Sequence, residues 1–243
     1  MTFLRSLLFW ILFSIALIVA GLFVLFSIPF TTTDWRYGIA SKWCRAIIGL
    51  MKTICGVDFS FVNMEEIPKD KPVILLAKHQ SAWETLALTG FLPRPLSFVY
   101  KKELHRIPIF GQCLASLGMF SLDRAQGRSG FERMKEKAPG FFSKGRVLVL
   151  FPEGTRTAPG QVVKYKTGGA RLAIALGVPV IPVALNSGEC WRRNAFCMTP
   201  GKIQVVFGPE IKPEGMNVHQ LNQEVQGWIE NEMREISPRF YTK

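Results

Sequence analysis

Lys78-His79-Gln80-Ser81-Ala82-Trp83-Glu84 follows directly on the apolar run Pro72 to Ala77. A short apolar run that ends in polar residues and passes into a helical pattern predicts a buried strand, then a turn, then a helix. His79 then stands on the rigid lip of a sheet, where the reactive groups of α/β folds gather. On one continuous helix, His79 and Glu84 would be separated by about 140°. They can meet only if His79 precedes the helix. A carboxylate that accepts from one ring nitrogen fixes the tautomer and raises the basicity of the other, which can then take a proton from a hydroxyl. Ser81-Ala82-Trp83-Glu84 also reads as a capping box, with Glu84 closing the helix N-terminus, and the residues alone leave both readings open.

Outward from this stretch, short apolar runs alternate with helical patterns. Strands are expected at Asp58–Val62, Val73–Ala77, Leu96–Tyr100, Met119–Leu122, Arg146–Leu150, Val180–Leu185 and Ile203–Phe207. Helices are expected at Ala82–Phe91, Ile109–Leu117, Ser129–Phe142, Gly169–Leu176 and Val218–Ile236. This alternation predicts an α/β domain over residues 57–243, with a central mixed, largely parallel sheet flanked by helices. In the last helix Leu221, Val225, Trp228, Ile229, Met233 and Ile236 form a core-facing stripe, and Asn217 with Gln220 supplies a start signal.

Residues 1–56 read differently, as a two-helix membrane-binding element. Leu7 to Ile28 carries no charge and as a helix would be about 33 Å long, close to the hydrocarbon thickness of a bilayer. No small-x-small cleavage site follows it, which argues against a removable signal peptide. After Pro29, Trp35 to Ile54 is amphipathic, with Trp35, Ile39, Trp43, Ile47, Leu50, Met51 and Ile54 on one face and Ser41, Lys42, Arg45 and Lys52 on the other. That face suits the lipid headgroup layer, or packs on the domain core. If the first helix spans, Arg36, Lys42 and Arg45 outnumber Arg5 and place the body on the cytoplasmic side of the inner membrane; if the two helices form a hairpin in one leaflet, nothing crosses.

The chain of 243 residues has 30 Lys and Arg against 18 Asp and Glu, for a formal charge of +12. It should seek an anionic partner, and the apolar bias favours a membrane surface or a phosphorylated ligand. No RNP, zinc-finger or homeodomain pattern is present, so nucleic acid is not expected. Cys44, Cys55, Cys113, Cys190 and Cys197 show no paired short spacing and read as reduced packing residues.

Two further stretches lie just beyond expected strands. Phe151-Pro152-Glu153-Gly154-Thr155-Arg156 offers a glycine-containing turn with backbone N–H groups and a guanidinium fork that matches phosphate oxygens. Gly118 to Arg124 ends in Asp123-Arg124, and Lys101-Lys102 follows a third strand. Alone, the first reads equally as a tight surface turn with an Arg–Glu ion pair, and Asp123-Arg124 is more often a solvated pair than a ligand site.

Together and in this order, the motifs resemble those of the glycerolipid acyltransferase family, and within it the enzymes that acylate 1-acyl-sn-glycerol-3-phosphate. The first motif, a histidine, four residues and an acid, is matched by His79 to Glu84. The second, a glycine and apolar element ending in Asp-Arg, is matched by Gly118 to Arg124, and the third by the unaltered string Phe151 to Arg156. Val178-Pro179-Val180-Ile181-Pro182-Val183 matches a fourth. The departure is Glu84, where most members carry Asp.

The resemblance implies that His79 is the general base that activates the free hydroxyl of lysophosphatidic acid, which attacks the thioester of acyl-CoA or acyl-carrier protein. It implies that Glu84 orients the ring, and that Lys101, Arg124 and Arg156 grip the phosphate in a pocket shaped by Glu153, Gly154 and Thr155. No metal or organic cofactor is implied. His105 and His219 receive no role, and an acyl-enzyme through Cys113 has no base beside it. The alternatives are an acyltransferase with another acceptor, such as glycerol-3-phosphate, a lyso-ornithine lipid or another lysophospholipid, and a non-catalytic membrane lipid-binding protein.

Overall fold

In the computed structural model, which describes residues 1–122 and 127–241, the strands are β1 (Val57–Val62), β2 (Ile74–Ala77), β3 (Leu96–Lys101), β4 (Phe120–Leu122), β5 (Val147–Leu150), β6 (Val180–Leu185) and β7 (Gly201–Phe207). They form one sheet in the order β1-β7-β6-β2-β5-β3-β4. Every pairing is parallel except β6 with β7. The sheet is therefore mixed and largely parallel, as the alternating pattern predicts.

The helices are α1 (Thr2–Ser27), α2 (Thr33–Cys55), α3 (Trp83–Phe91), α4 (Phe110–Ser116), α5 (Gly127–Phe142), α6 (Gly168–Leu176) and α7 (Val218–Ile236). Thr32 caps α2 by accepting from the Trp35 N–H, and α7 starts on a capping box between Asn217 and Gln220. The predicted start signal of α7 is thus a real one.

The strands read as unbroken apolar runs because both faces of the sheet are covered. Val73, Leu75, Ala77, Val147, Val149, Ile181, Val183 and Leu185 enter one apolar cluster with residues of α1, α2 and α3. Ile74, Leu76, Leu148, Leu150, Val180 and Ala184 enter the other, with residues of α5, α6 and α7. This period of two continues past the end of β2: Lys78 is set toward α7, and His79 toward the opposite face.

The helices of residues 1–56 are part of the same core. Tyr37, Ile47, Ile48 and Met51 of α2 and Phe9 of α1 are buried in the cluster on that face. The buried stripe of α2 runs through Tyr37, Cys44, Ile48, Met51 and Cys55, while on the expected apolar face Ile47 and Met51 are buried, Ile39, Trp43, Leu50 and Ile54 are half-buried and Trp35 is exposed. Buried Arg146, just before β5, locks the start of α2 by an ion pair with Asp34 at 2.8 Å and lies 5.1 Å from the Tyr37 ring.

Among the described residues, α1 lies in the one stretch long and apolar enough to cross a membrane, Thr2–Phe30. Yet it lies along the domain. Ser6 accepts from the Met198 N–H, Trp10 donates to the Phe196 carbonyl, and the Ala16 carbonyl accepts from the Trp43 indole. At Gly21 a Cβ would sit 2.5 Å from a methyl of Ile109, so any larger residue would force one of the two to shift. The opposite side of α1 exposes Leu4, Ile11, Ile15, Val19 and Phe26, a strip of apolar surface too long to be favoured in water.

Candidate active site

Parallel pairing brings the sequence motifs to one edge of the sheet. β2, β5 and β3 are neighbours running the same way, so His79 after β2, Phe151 to Arg156 after β5 and Lys101 at the end of β3 all leave at the carboxyl edge.

The His79 Nδ1 lies 2.8 Å from Glu84 Oε1, and the same oxygen accepts the backbone N–H groups of Gln80 and Ser81, each at 2.8 Å. Glu84 Oε2 accepts from the Ser187 hydroxyl at 2.7 Å. The loop from His79 to Ser81 wraps the carboxylate, so Glu84 caps the helix start and holds the imidazole at once. The Glu84 side chain reaches back far enough to do both. The Ser81 hydroxyl accepts from the Trp83 N–H at 2.8 Å, so the expected reciprocal box is replaced by a tighter turn.

Burial opposes the charge on Glu84, but the hydrogen bonds from His79, Ser187 and the Ser81 N–H outweigh it and hold its pKa below the usual value. An ionised acceptor at Nδ1 requires Nδ1 to carry the proton. The Nε2 lone pair is then free to accept, and it has no hydrogen bond among the described residues. The ring stacks on Phe151 at 3.9 Å between centroids, and Phe151 stacks on Phe98 in turn. The side chain keeps 17% exposure, enough for a substrate to reach it.

The main chain of His79 is clamped as well. Its N–H donates to Glu153 Oε1 at 3.1 Å, and its carbonyl accepts from the Thr157 N–H at 2.8 Å and hydroxyl at 3.1 Å. Glu153 is thus placed otherwise than expected. Its side chain has no exposed surface and points inward toward Lys78, 3.6 Å away, so its carboxylate holds the histidine's backbone. Burial pushes its pKa up to about 7, against the pull of Lys78 and of the His79 N–H.

Gly154 has φ +71°, in the left-handed region, and a Cβ there would lie 2.6 Å from the Lys166 ammonium. The Phe151–Arg156 turn therefore has Lys166 folded across it, a cation the sequence reading passed over. Thr155 is exposed and Arg156 half-buried, with the Arg156 carbonyl accepting from Arg193 at 3.3 Å. Lys101 is exposed and pairs with Glu103 at 3.2 Å; among the described residues no hydrogen bond or ion pair joins it to His79 or to the turn. Asp123 and Arg124 lie outside the described residues.

Ser187 was not anticipated. It follows β6, and only the strand order, with β6 beside β2, reveals that it meets Glu84. Phe98 also lines an apolar cavity between α1, α2, α3 and α4, together with Leu17, Trp43, Leu86 and Leu114. Among the described residues no group of three or more His, Cys, Asp and Glu is placed to hold a metal. The cysteines are all free, and burial raises the Cys44 thiol to about 12 and, with Glu189, the Cys190 thiol to about 11. Burial also raises the pKa of Cys113, as fits an unreactive packing thiol.

The histidine has a free Nε2, with no serine, threonine or cysteine in hydrogen-bond contact with that nitrogen among the described residues, and a nitrogen so placed can accept a proton from an incoming group. Residues 58–186 match the model of the acyltransferase family. The chain is 38% identical over 238 residues to 1-acyl-sn-glycerol-3-phosphate acyltransferase of Pseudomonas aeruginosa, covering 96% of this chain and 92% of that one. It is 26% identical to human 1-acyl-sn-glycerol-3-phosphate acyltransferase alpha, over 94% of this chain and 79% of the other. The crystal structure of the 1-acyl-sn-glycerophosphate acyltransferase of Thermotoga maritima shares the fold, with a TM-score of 0.80 and 24% identity over 96% of this chain and 95% of that one. The chain belongs to the acyltransferase family.

Proposed function

We propose that this protein transfers a fatty acyl group from a thioester, acyl-CoA or acyl-carrier protein, to the sn-2 hydroxyl of 1-acyl-sn-glycerol-3-phosphate, giving phosphatidic acid. The observation that carries the reading is the His79–Glu84 pair at 2.8 Å, with Nε2 open beside the Phe151–Arg156 turn. The relatives named for this reaction in Pseudomonas aeruginosa and human support the acceptor.

In the proposed step Nε2 takes the hydroxyl proton as the oxygen bonds to the thioester carbonyl carbon. Glu84 stabilises the imidazolium that forms. The tetrahedral adduct collapses, the C–S bond breaks, and the imidazolium returns its proton to the leaving thiolate. Arg156 and Lys166 offer cations for the acceptor's phosphate, with Arg124 and Lys101 as further ligands in this reading. The apolar cavity flanking Phe98 gives an acyl chain somewhere to lie. This chemistry needs no metal or organic cofactor.

The exposed apolar side of α1 supports membrane attachment, and its lengthwise packing on the domain favours a helix embedded in one leaflet, the domain lying against the cytoplasmic face of the inner membrane. A purified sample offered a panel of lyso-acceptors, with acyl-CoA and acyl-carrier protein in turn, tests the reading by product mass. Phosphatidic acid as the dominant product is expected; turnover of glycerol-3-phosphate or a lyso-ornithine lipid in its place would reject the acceptor.

A further inference from the structure

Behind His79, on the α7 side of the sheet, lies a buried set of ionisable groups that the acyl-transfer step does not use. Lys78 is wholly buried, and its ammonium sits 2.6 Å from Glu230 Oε1 and 3.6 Å from Glu153 Oε1. Glu230 Oε1 also accepts from the Tyr165 hydroxyl at 2.8 Å. The rings of Tyr165 and Tyr241 flank the ammonium at 5.8 and 5.9 Å, and the Tyr241 hydroxyl meets Gln80 at 3.4 Å. Glu230 and Tyr241 lie beyond residue 186, outside the part of the chain that matches the family model.

Burying ionisable groups is costly, and removing one member of such a cluster leaves another unpaired. Here the members touch the site at one atom. Glu153 Oε1 both holds the His79 N–H and faces the Lys78 ammonium. Lys78 therefore stands between two carboxylates, at 2.6 and 3.6 Å, and how closely it approaches the second decides how firmly Glu153 is left to hold the histidine.

We propose that Glu230 is a positioning residue for His79: by holding the Lys78 ammonium at 2.6 Å on the α7 side, it keeps it from closing further on Glu153 Oε1, 3.6 Å away, and leaves that oxygen to hold the His79 main chain. The oxygens Glu153 Oε2 and Glu230 Oε2 have no hydrogen-bond partner among the described residues, so a second buried negative charge is poorly supported. Burial raises the Glu153 pKa to about 7, against the pull of Lys78 and the His79 N–H. Burial alone would depress the Lys78 pKa, but Glu153 and Glu230 outweigh it and keep it raised, so the ammonium stays charged.

Glu230→Gln keeps the shape and an acceptor for Tyr165 but removes the charge. Lys78 is then drawn toward Glu153 and competes with the His79 N–H for the same oxygen. A displacement of the catalytic group by about 1 Å costs on the order of 10²-fold in rate.

The inference rests on His79 being the base, so His79→Ala is assayed in parallel, with each variant normalised to folded protein by circular dichroism in detergent. The expected result is a kcat for Glu230→Gln roughly 10- to 100-fold below wild type, with the KM for 1-acyl-sn-glycerol-3-phosphate unchanged. Lys78→Met combined with Glu230→Gln removes the competing cation and should return kcat to within about threefold of wild type, a rescue that simple loss of packing would not give. Wild-type kcat in Glu230→Gln overturns the inference while leaving the base assignment intact. A double variant slower than wild type by more than about tenfold overturns it too, and decides the matter if the single variant does not fold. Activity in His79→Ala would instead remove the reading on which both stand.

Discussion

Replacing Glu84 by Gln tests the orienting carboxylate with little change of shape. The amide oxygen can still accept the Gln80 and Ser81 N–H groups, now 2.8 Å from Glu84 Oε1, so the turn and the start of α3 should persist. What is lost is the charge facing His79 Nδ1 at 2.8 Å. A hydrogen bond to a charged group contributes about 1.5–3 kcal/mol, which corresponds to a factor of roughly 10–150 in rate if it is realised in the transition state. The neutral amide also removes the charged partner for the forming imidazolium, so the loss should reach about 10²–10³-fold. Steady-state kinetics with varied acceptor should show the fall in kcat, with the acceptor KM within about threefold of wild type. Ser187→Ala, which removes one neutral donor to the same carboxylate, should cost only about 1 kcal/mol, close to fivefold. A Glu84→Gln enzyme with kcat near wild type would refute the assignment of Glu84 as the group that sets the imidazole.

Arg156→Ala should raise the KM for 1-acyl-sn-glycerol-3-phosphate by about 10- to 100-fold and leave kcat nearly unchanged, as loss of a charge-assisted contact to a phosphate would; an unchanged KM would reject that contact. Glu153 makes stability depend on pH. Its folded pKa of about 7 lies above its ordinary 4.5, so the native state binds the proton more tightly, and stability present below pH 4.5 is lost as pH rises through 7. The loss is at most about 3 kcal/mol, and Glu84, whose pKa is lowered, contributes nothing to it above pH 5. Urea unfolding in detergent at pH 5 and pH 8 should show a smaller drop for Glu153→Gln than for wild type; parallel behaviour of the two would contradict this. Deleting residues 1–54 should yield aggregated protein and not a soluble enzyme, because Tyr37, Ile47, Ile48 and Met51 are core residues. A monomeric, cooperatively folding truncation by size exclusion and thermal melting would refute that.

The sheet was legible because Val147–Leu150 and Val180–Leu185 are buried on both faces and so read as unbroken apolar runs. The antiparallel pairing of β6 and β7 was not, since Ile203–Phe207 carries the same pattern in either direction. The stripe on α2 was ambiguous because lipid and protein core select the same side chains. The side that the core takes is offset from it, through Tyr37, Cys44, Ile48 and Met51, and is set by contacts with α3 and the sheet that a helical wheel does not contain. The histidine and its acid could be found because they are local. Ser187 and Glu230 could not, because they meet Glu84 and Lys78 from 103 and 152 residues away. Glu153 shows the limit in another way. It was placed by its motif, but the protein core claims its carboxylate, and only the structure reveals that it faces Lys78 and the His79 amide.

The central claim is that the Nε2 of His79 takes the acceptor's proton. Purified His79→Ala, supplied with 1-acyl-sn-glycerol-3-phosphate and an acyl thioester, should form phosphatidic acid at least about 10²-fold more slowly than wild type, while its thermal unfolding and binding of the acceptor stay as they were. Formation of phosphatidic acid at the wild-type rate by that variant would contradict the account.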